Sequence, residues 1–417
     1  MKRAWESRSL EILLLIHAAL LPISIAAGQI WAYLFALIAI IGCGRGSLGS
    51  VTRAPLFTVL ALFAVAVFAS LFVGVRPSLG LHKTDRLLLL AVPLVFPLLL
   101  GKRDATTSEV LLRKLILLFL IGCASKAAYD CVRIPVSHLL ELRAYHAGLS
   151  AGALTTSDVP PSLFDAGNMR DPQFYAIAIA LALALWLVRA PGFRPLFLLA
   201  VLAVAALALL LHFKRGAWFS AVAAVLVLSL LTNRRRVVVL LLALGIAASF
   251  VPSVRARVGQ LRDEFSVRSG GRYSLWTHVA PALFEEYPLG MGWRSVLHED
   301  MAKHRVPVQK KLNHLHNNAM QVRLELGWLG EVSWLLWMGV GFVYLTRAWR
   351  CAERQWPSYR GPALGLLVAF LTLHLNGLVE YNFGDGEIFM LMNLILALGV
   401  AGWVMLRQPP DSCLDSA

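Results

Sequence analysis

A polar segment at residues 311–330, KLNHLHNNAMQVRLELGWLG, places two histidines and three asparagines directly ahead of an apolar run. Asn317 or Asn318 is a suitable N-cap for a helix that begins there, and Gln321 is placed to close a capping box. His316 then lies at the positive end of the helix, where a protonated imidazole is disfavoured and a neutral one can accept a proton. The pattern favours His316 as a general base, although a histidine at such a position can also serve only to cap or pack against the helix.

Two further motifs combine arginine with small residues. FKRGAW contains Lys214 and Arg215, and SGGRYSLW contains Gly270, Gly271 and Arg272. A guanidinium group binds phosphate through two hydrogen bonds, and glycines allow backbone amides to approach an anion. Either motif alone can be explained by a cation that anchors a helix end at a membrane surface. Together they indicate a binding site for a phosphate group.

A metal site is the competing interpretation of the histidines. His314 and His316 could bind a metal ion, with His298, Glu299 or His304 as further ligands. The segment HEDMAKH lacks the HExxH spacing that places two ligands on one helical face. We therefore expect no metal ion and no other cofactor.

The composition indicates that these residues belong to an integral membrane protein. The chain has 417 residues, of which 58% are hydrophobic and 15% charged, with a net charge of +15 and a mean hydropathy of +0.67. Basic charge can indicate a nucleic-acid partner. Here the lysines and arginines fall mostly in short gaps between apolar runs, with no basic domain interleaved with aromatic residues, so we expect no nucleic acid.

About twelve apolar segments are candidates to cross a bilayer, which takes roughly 17 to 25 helical residues. They are Ile12–Ala27, Ile30–Cys43, Leu56–Val75, Leu87–Leu100, Leu111–Tyr129, Phe174–Val188, Leu196–Leu211, Ala217–Leu231, Val237–Val251, Leu324–Leu345, Ala363–Val379 and Ile388–Leu406. The sequence thus predicts an all-α, polytopic membrane protein with a single membrane domain over residues 1–417.

The distribution of lysine and arginine predicts the orientation of this domain. With Met1 inside, every inner gap is basic, and one of them contains the three consecutive arginines Arg234 to Arg236. The outer gaps include two long ones at residues 131–171 and 252–323, and the second of these is expected to carry part of the site. The arginine motifs, His316 and Asp385 all fall on the outer face.

The first apolar stretch has a second interpretation. Lys2, Arg3 and Arg8 ahead of it resemble the start of a secretory signal peptide. Glu11 and Pro22 interrupt the run and many spans follow, so we favour a first transmembrane helix.

Four motifs, in order, resemble the pattern of the bacterial O-antigen ligase and polymerase superfamily of membrane glycosyltransferases. They are FKRGAW, SGGRYSLW, HNNAMQVRLELGWLG and EYNFGDGE. The HN pair followed by LxxGxxG is the most specific of these, whereas the RGAW element is shared with polymerases and pilin oligosaccharyltransferases. The resemblance covers the span layout of essentially the whole chain and implies an all-α membrane fold of the GT-C-like type.

Within this superfamily the resemblance favours a ligase in the bacterial inner membrane with its active site facing the periplasm. It implies transfer of O-antigen polysaccharide from undecaprenyl diphosphate to the lipid A-core oligosaccharide. On the residues that match, Arg215 and Arg272 are expected to engage the lipid diphosphate, and His316 is the expected catalytic residue. Asp385 corresponds to an acidic residue of the last outer gap. The remaining expected substrate-binding residues are Lys214, His314 and Asn317.

The residue types suggest a mechanism that needs no metal ion. An acceptor hydroxyl would lose its proton to His316 while it attacks the anomeric carbon, and the departing diphosphate would be stabilised by Arg215 and Arg272. Such a single displacement inverts the anomeric centre.

Other functions remain open at this stage. An O-antigen polymerase or a protein O-oligosaccharyltransferase of the same superfamily would use similar residues. A polysaccharide or lipid transporter is the alternative from another class, but transporters often place charges near the bilayer midplane between repeats. Here the polar motifs gather at one face, which favours an enzyme.

Overall fold

The computed structural model describes residues 2–42, 54–100, 103–151, 172–264, 271–304 and 313–407. Within these ranges the chain is helical and contains no strand, which confirms the all-α prediction. Twelve helices of nine residues or more lie in the described part of the chain. They are α1 (Lys2–Leu20), α2 (Ile25–Gly42), α3 (Pro55–Val73), α4 (Val92–Leu100), α5 (Ala105–Ser150), α6 (Pro172–Val188), α7 (Pro195–Leu211), α8 (Arg215–Leu231), α9 (Arg235–Ser249), α10 (Asn318–Gln355), α11 (Arg360–Gly377) and α12 (Gly386–Leu406).

Four of these helices, α3, α5, α10 and α12, are long and apolar enough to cross a membrane. The helices α6, α7 and α8, and the part of α2 over Ile25–Ile38, are apolar but shorter. Each predicted apolar segment falls mainly on one of the helices α1 to α12. The predicted count of about twelve crossings stays a prediction, because several of the helices are shorter than a bilayer requires.

The bounds of the first predicted segment, Ile12–Ala27, are wrong, because α1 ends and α2 begins within it. Pro22 lies in the turn between the two helices and has no N–H to continue the helical hydrogen bonds. The Ser24 hydroxyl accepts a hydrogen bond from the backbone N–H of Ala27 at 3.3 Å, in the manner of an N-cap. A proline followed by a capping serine thus separates two helices where the apolar pattern predicts one.

The helix α5 is 46 residues long. At 1.5 Å per residue it extends roughly 70 Å, about twice the thickness of the hydrocarbon core. The predicted outer segment 131–171 therefore begins as helix, since residues 131–150 belong to α5. Residues 152–171 lie outside the described part of the chain.

The predicted large loop at residues 252–323 is largely made of short helices. They are Pro252–Gly259, Leu261–Glu264, a three-part helix at 272–286 with a π-helical turn at Leu275–Val279, and His298–Ala302. The last residues of the predicted loop already belong to α10.

The centre of the bundle is formed by α12. In its apolar stretch of 18 residues, 89% of the residues are buried, compared with 39% to 44% in the corresponding stretches of α3, α5 and α10. It packs against α4, α10 and α11, while α11 also packs against α6.

An aromatic cluster fixes two loops onto this core. Phe63 of α3, Trp337 of α10 and Phe389 of α12 surround Trp293 and Phe383, with ring centroids 5.3 to 6.1 Å apart. Trp293 and Phe383 lie on loops, and Trp293 and Phe383 are each 1% exposed. Buried aromatic side chains of this size hold the loop residues on either side of them in place.

The helix α10 is broken near its start. Gly327 has φ +65° and ψ −163°, far from helical values. Directly before the break, the carbonyls of Leu324 and Glu325 accept hydrogen bonds from the backbone N–H groups of Met291 and Gly292 at 2.8 and 2.9 Å. The LxxGxxG motif is thus the part of α10 to which the loop around Met291 and Gly292 is hydrogen-bonded.

Candidate active site

A cleft of about 470 Å³ opens at one end of the bundle. It lies where three helices begin, because Lys214, Asn317 and Asp385 are the residues that precede α8, α10 and α12. The lining residues of this cleft are Lys214, Arg294, Val296, Asn313, His314, His316, Glu325, Glu380, Tyr381 and Asp385.

A smaller cavity of about 40 Å³ adjoins the cleft and shares Lys214, Glu380 and Asp385 with it. Pro172 and Gln173, at the start of α6, also line this cavity. Four long helices therefore direct their N-termini toward the same region. The positive ends of their dipoles add to the lysine and arginine side chains and favour a bound anion.

His316 and Glu380 form the central pair of the cleft. His316 Nδ1 lies 2.7 Å from Glu380 Oε1. With a proton on Nδ1 that is donated to the carboxylate, Nε2 is the nitrogen that accepts a proton from another group. This is the arrangement by which a carboxylate orients a general base and stabilises the imidazolium that forms.

Three side chains hold the segment that carries Glu380. Arg272 donates from Nε to the carbonyl of Val379 at 2.8 Å and from a terminal nitrogen to Glu380 Oε2 at 3.3 Å. Asn317 donates from Nδ2 to the carbonyl of Leu378 at 2.9 Å. Together with the His316 hydrogen bond, these contacts join the start of α10 to the chain that follows α11.

The carboxyl group of Glu380 is held in its ionised form. Burial by itself raises its pKa, but the hydrogen bond from His316 and the charges of His316, Lys214 and Arg272 hold the pKa well below the ordinary value. Burial lowers the pKa of Lys214, and the negative charge of Glu380 partly offsets this. The two groups line the same cleft, and each favours the charged form of the other.

His314 packs beside His316, with ring centroids 4.1 Å apart. Burial, together with the charge of His316, lowers the pKa of His314 to about 4, so its imidazole is neutral near pH 7. Its ring also lies 5.7 Å from that of Tyr381. His314 therefore forms an uncharged wall of the cleft next to the candidate base.

A second network lies beneath the first. Glu325 is 1% exposed and accepts hydrogen bonds from the backbone N–H of Arg294 at 2.9 Å and from the Tyr381 hydroxyl at 2.9 Å. Arg294 in turn donates to the Tyr381 hydroxyl at 3.0 Å. Tyr381 raises the pKa of Arg294, burial opposes this, and Glu325 adds to the rise, so the guanidinium stays charged.

The backbone is strained at three positions around the cleft. Phe213, Arg294 and His316 have φ values of +51°, +54° and +51°, which non-glycine residues rarely adopt. Each such residue costs on the order of 1 to 3 kcal/mol and persists where the surrounding structure determines it. Strain of this kind at His316 and Arg294 accompanies their placement in the cleft.

The predicted N-cap is confirmed, and the predicted capping box is wrong. The Asn317 side chain accepts a hydrogen bond from the backbone N–H of Met320 at 3.1 Å. Gln321 instead accepts from the N–H of Leu315 at 2.8 Å and donates to Glu325 at 3.0 Å. Because the chain turns sharply at His316, the residue that Gln321 reaches lies further back than a capping box requires.

The predicted site residues fall into three groups. Lys214, His314, His316 and Asp385 line the cleft. Arg272 and Asn317 do not line the cleft but donate hydrogen bonds to Glu380 and to the nearby carbonyl of Leu378. Arg215 is the first residue of α8, next to Lys214, and is not among the lining residues. Ser269 and Gly270 of the SGGRYSLW motif lie outside the described part of the chain.

Six lining residues of the cleft were missed by the sequence reasoning: Arg294, Val296, Asn313, Glu325, Glu380 and Tyr381. Glu380 and Tyr381 open the EYNFGDGE motif, of which only Asp385 was selected. Arg294 follows Gly290 and Gly292, and so meets the same criterion of an arginine beside glycines that drew attention to Arg272.

The cluster of His314, His316 and Glu380 also has the donor set of a metal site. Ligand atoms of the three residues lie within 4.8 Å of one another. Both oxygens of Glu380 already accept hydrogen bonds, and Lys214 and Arg294 line the same cleft. A divalent cation there would meet repulsion from these two basic side chains. Of the further ligands considered, His304 lies outside this cluster, with its Nε2 atom 3.1 Å from a carboxylate oxygen of Glu286.

Comparison with protein families identifies one related segment. Residues 198–335 match the family model described as O-antigen ligase. The matched segment contains Lys214, Arg272 and His316, and it ends ahead of Glu380 and Asp385. No curated protein matches the chain.

Proposed function

We propose, from the membership of the O-antigen ligase/polymerase superfamily that the match over residues 198–335 supports, that this protein is an O-antigen ligase. It transfers O-antigen polysaccharide from undecaprenyl diphosphate to the lipid A-core oligosaccharide. The observation that carries the proposal is the His316–Glu380 pair, 2.7 Å apart, in a cleft with cationic walls.

The diphosphate of the donor binds on the cationic side of the cleft. Lys214 and Arg294 line it, and the N-termini of α6, α8, α10 and α12 point toward it. These groups supply positive charge where the leaving diphosphate gains negative charge during the reaction. Arg272 contributes by holding Glu380 in place, and Arg215 adds charge at the start of α8.

The reaction is a single displacement at the anomeric carbon of the donor sugar. The acceptor oxygen forms a bond to that carbon as its proton passes to His316 Nε2, and the bond from the carbon to the diphosphate oxygen breaks. Glu380 stays ionised and stabilises the imidazolium. The proton then leaves to the diphosphate or to water. Attack from the side opposite to the leaving group inverts the configuration.

The charge distribution supports a periplasmic cleft in the bacterial inner membrane. The helices α6, α8 and α10 begin at the cleft and end at the other side of the bundle. That side carries the basic cluster of Arg234 to Arg236 and the exposed Arg347, Arg350 and Arg354 near the end of α10. By the positive-inside rule the basic end is cytoplasmic, so the cleft faces the periplasm.

The position of the polar groups argues against a transporter. Apart from Glu325, which lies beside the break near the start of α10, the charged residues of the cleft lie on loops and at helix ends of one side of the bundle. Transporters often place their charged sites near the bilayer midplane between repeats. The cleft also contains a base and a carboxylate in contact, which a passage for lipid or sugar does not need.

The proposal is tested with lipopolysaccharide and lipid-linked polymer from a strain that lacks the gene. A ligase deletion leaves core without O-antigen and accumulates long lipid-linked polymer, and the wild-type gene restores capped lipopolysaccharide while His316→Ala does not. Cores that carry single repeats would instead identify a polymerase, and a loss of all periplasmic polymer would identify a transporter.

Transfer by purified protein should survive removal of divalent metal ions with a chelator; a strict metal requirement would overturn the metal-independent mechanism.

A further inference from the structure

A larger cavity, of about 960 Å³, lies at the end of the bundle opposite to the cleft. It is bounded by the end of α6, the start of α7 and the link between α8 and α9. The lining residues are Leu185, Trp186, Leu187, Arg189, Ala190, Phe193, Pro195, Leu198, Asn233, Arg234, Arg235, Arg236 and Val237. Both α6 and α8 are 17 residues long, so this cavity is roughly 25 Å from the cleft region where they begin.

The rim of the cavity carries four arginines, Arg189 and Arg234 to Arg236. All four are exposed, and among the described residues none is within 4.0 Å of an acidic side chain. Arg189 and Arg234 follow the C-termini of α6 and α8 and complement the negative ends of their dipoles, whereas Arg235 and Arg236 open α9, where the dipole disfavours a cation. The preference for basic residues at the inner end of a membrane protein explains the sign of all four. Neither effect explains why the arginines surround an apolar cavity.

The inner wall of the cavity is apolar, with Leu185, Leu187, Phe193, Leu198 and Val237. A free anion would need only the arginines. A phospholipid needs both parts, since its phosphate binds guanidinium groups while its acyl chains bury apolar surface. The volume is also far larger than a phosphate group, which is comparable to a few water molecules of about 30 Å³ each.

The helix ends that present the arginines have an unusual backbone. α6 and α8 both close with a hydrogen bond from a backbone N–H just after the helix to the carbonyl five residues earlier, from Ala190 to Leu185 and from Arg234 to Ser229, each at 2.9 Å. This motif places one residue in the left-handed region, where glycine is favoured. Here the residues are Arg189, at φ +54°, and Asn233, at φ +54°. Asparagine tolerates this region, whereas arginine occupies it at an energetic cost. The side chain of Arg189 therefore reaches the rim of the cavity from a strained backbone position.

We propose that this arginine-rimmed cavity binds an anionic diacyl phospholipid, with its phosphate on Arg189 and Arg234 to Arg236 and its acyl chains against the apolar wall. The inference depends on the chain being a membrane protein and is independent of the reaction in the cleft.

The experiment compares lipids with identical acyl chains on the purified protein in a neutral detergent. Phosphatidylglycerol should bind at least about tenfold more tightly than phosphatidylcholine, as measured by native mass spectrometry and by the rise in the unfolding temperature. The triple variant Arg234→Gln, Arg235→Gln, Arg236→Gln should lose most of this preference, because each basic residue near an anionic lipid contributes about 1 kcal/mol, or roughly fivefold. Glycerol phosphate and inorganic phosphate should not stabilise the protein at matched concentrations.

Two further variants separate binding from folding. Arg189→Gly places glycine in the left-handed position, so it should leave the unfolding temperature of the lipid-free protein equal or higher while it weakens phosphatidylglycerol binding about fivefold. The matched control is Arg347→Gln, Arg350→Gln, Arg354→Gln, which removes three exposed arginines from the same end of the bundle but away from the cavity. Equal binding of the two lipids, equal stabilisation by inorganic phosphate, or an equal loss in the control variant would overturn the proposal.

Discussion

Glu380 connects the two kinds of residue that the proposed reaction uses. One carboxylate oxygen contacts the imidazole of His316 at 2.7 Å, and the other contacts the guanidinium of Arg272 at 3.3 Å. A change at any of the three residues therefore disturbs the other two. Their separate contributions are best resolved by comparing binding of the donor with the rate of transfer.

His316→Ala should lower the rate of transfer about a hundredfold or more, the scale for removal of a general base, while donor binding persists through the cations of the cleft. Glu380→Gln should lower the rate about tenfold or more, since the amide loses the charge that stabilises the imidazolium. The measurement is single-turnover transfer by purified protein, with donor binding as the control. If His316→Ala binds donor poorly yet transfers normally at saturation, His316 is a binding residue and Asp385 is the next candidate base.

Arg272→Ala should abolish most transfer, and Arg272→Lys should rescue it poorly. Arg272 contacts the carbonyl of Val379 and the carboxylate of Glu380 from two different nitrogens of one planar group. A lysine has all its donors on a single nitrogen and does not reproduce this geometry. Arg215→Ala and Arg215→Lys should behave in the same way if Arg215 stabilises the diphosphate. Arg262→Ala, an exposed arginine in the same loop region, is the control that should stay active. Wild-type activity of both lysine variants would show that only the positive charge of the two arginines is needed, and not the geometry of the guanidinium group.

The stability of the protein should fall on acidification from about pH 6.5 to about pH 4 in a way that depends on His314. Burial lowers the pKa of folded His314 to about 4 from its ordinary value of 6.5. Between these values the unfolded chain binds more protons, so stability rises with pH across this window. Thermal unfolding in detergent at a series of pH values should show a smaller slope for His314→Gln than for the wild type. An unchanged slope would show that His314 stays accessible to protons in the folded protein.

At the scale of the element, the break in α10 determines where the floor of the cleft lies. A Cβ at Gly327 would lie 2.7 Å from the backbone carbonyl of Leu289, and the φ of +65° disfavours any side chain. The break also lets Glu325 contact both Arg294 and Tyr381. The glycine is therefore required by the backbone and by the network above it.

Gly327→Ala should destabilise the protein by roughly 1 to 3 kcal/mol and lower transfer, because the loop at Leu289 must move. Gly339 of the same helix offers a matched control, since a Cβ there meets nothing within 4 Å. Gly339→Ala should be neutral or stabilise by about 0.5 to 1 kcal/mol. Unfolding temperature and transfer rate are measured for both variants; equal behaviour would mean that the break in α10 is not needed.

At the scale of the whole molecule, the bundle has two unlike ends. One end has the cleft, with a base, a carboxylate and cations among converging helix N-termini. The other end has exposed arginines around an apolar cavity. An asymmetric charge distribution of this kind determines the orientation of a membrane protein.

Reporter fusions at Arg234 and Arg350 should therefore read as cytoplasmic, and a fusion near Gly270 as periplasmic. These positions lie in different links of the chain, so a consistent result tests the arrangement of the helices between them. A cytoplasmic signal from the fusion near Gly270 would place Arg272 on the wrong side of the membrane for the proposed reaction.

The sequence by itself determined the features that depend on neighbouring residues. Composition and apolar segments predict an all-α membrane protein, and the helical part of the chain follows these segments closely. The sequence limits the N-cap of α10 to Asn317 or Asn318, because capping involves residues only three apart, and the structure selects Asn317. The polar motifs are expected at one face because the direction of each helix follows from counting spans.

Only the tertiary structure decided the contacts between distant residues. His316 and Glu380 are 64 positions apart, and Arg272 and Glu380 are 108 apart, so their contact depends on how α10 and α11 pack. The same holds for the break at Gly327, where an apolar pattern predicts an uninterrupted helix and the loop at Leu289 takes over the hydrogen bonding. Local sequence encodes which backbone state a residue prefers, but the partner of a buried carboxylate is selected by the packing of whole helices, because the free energy of that contact exists only once they are assembled.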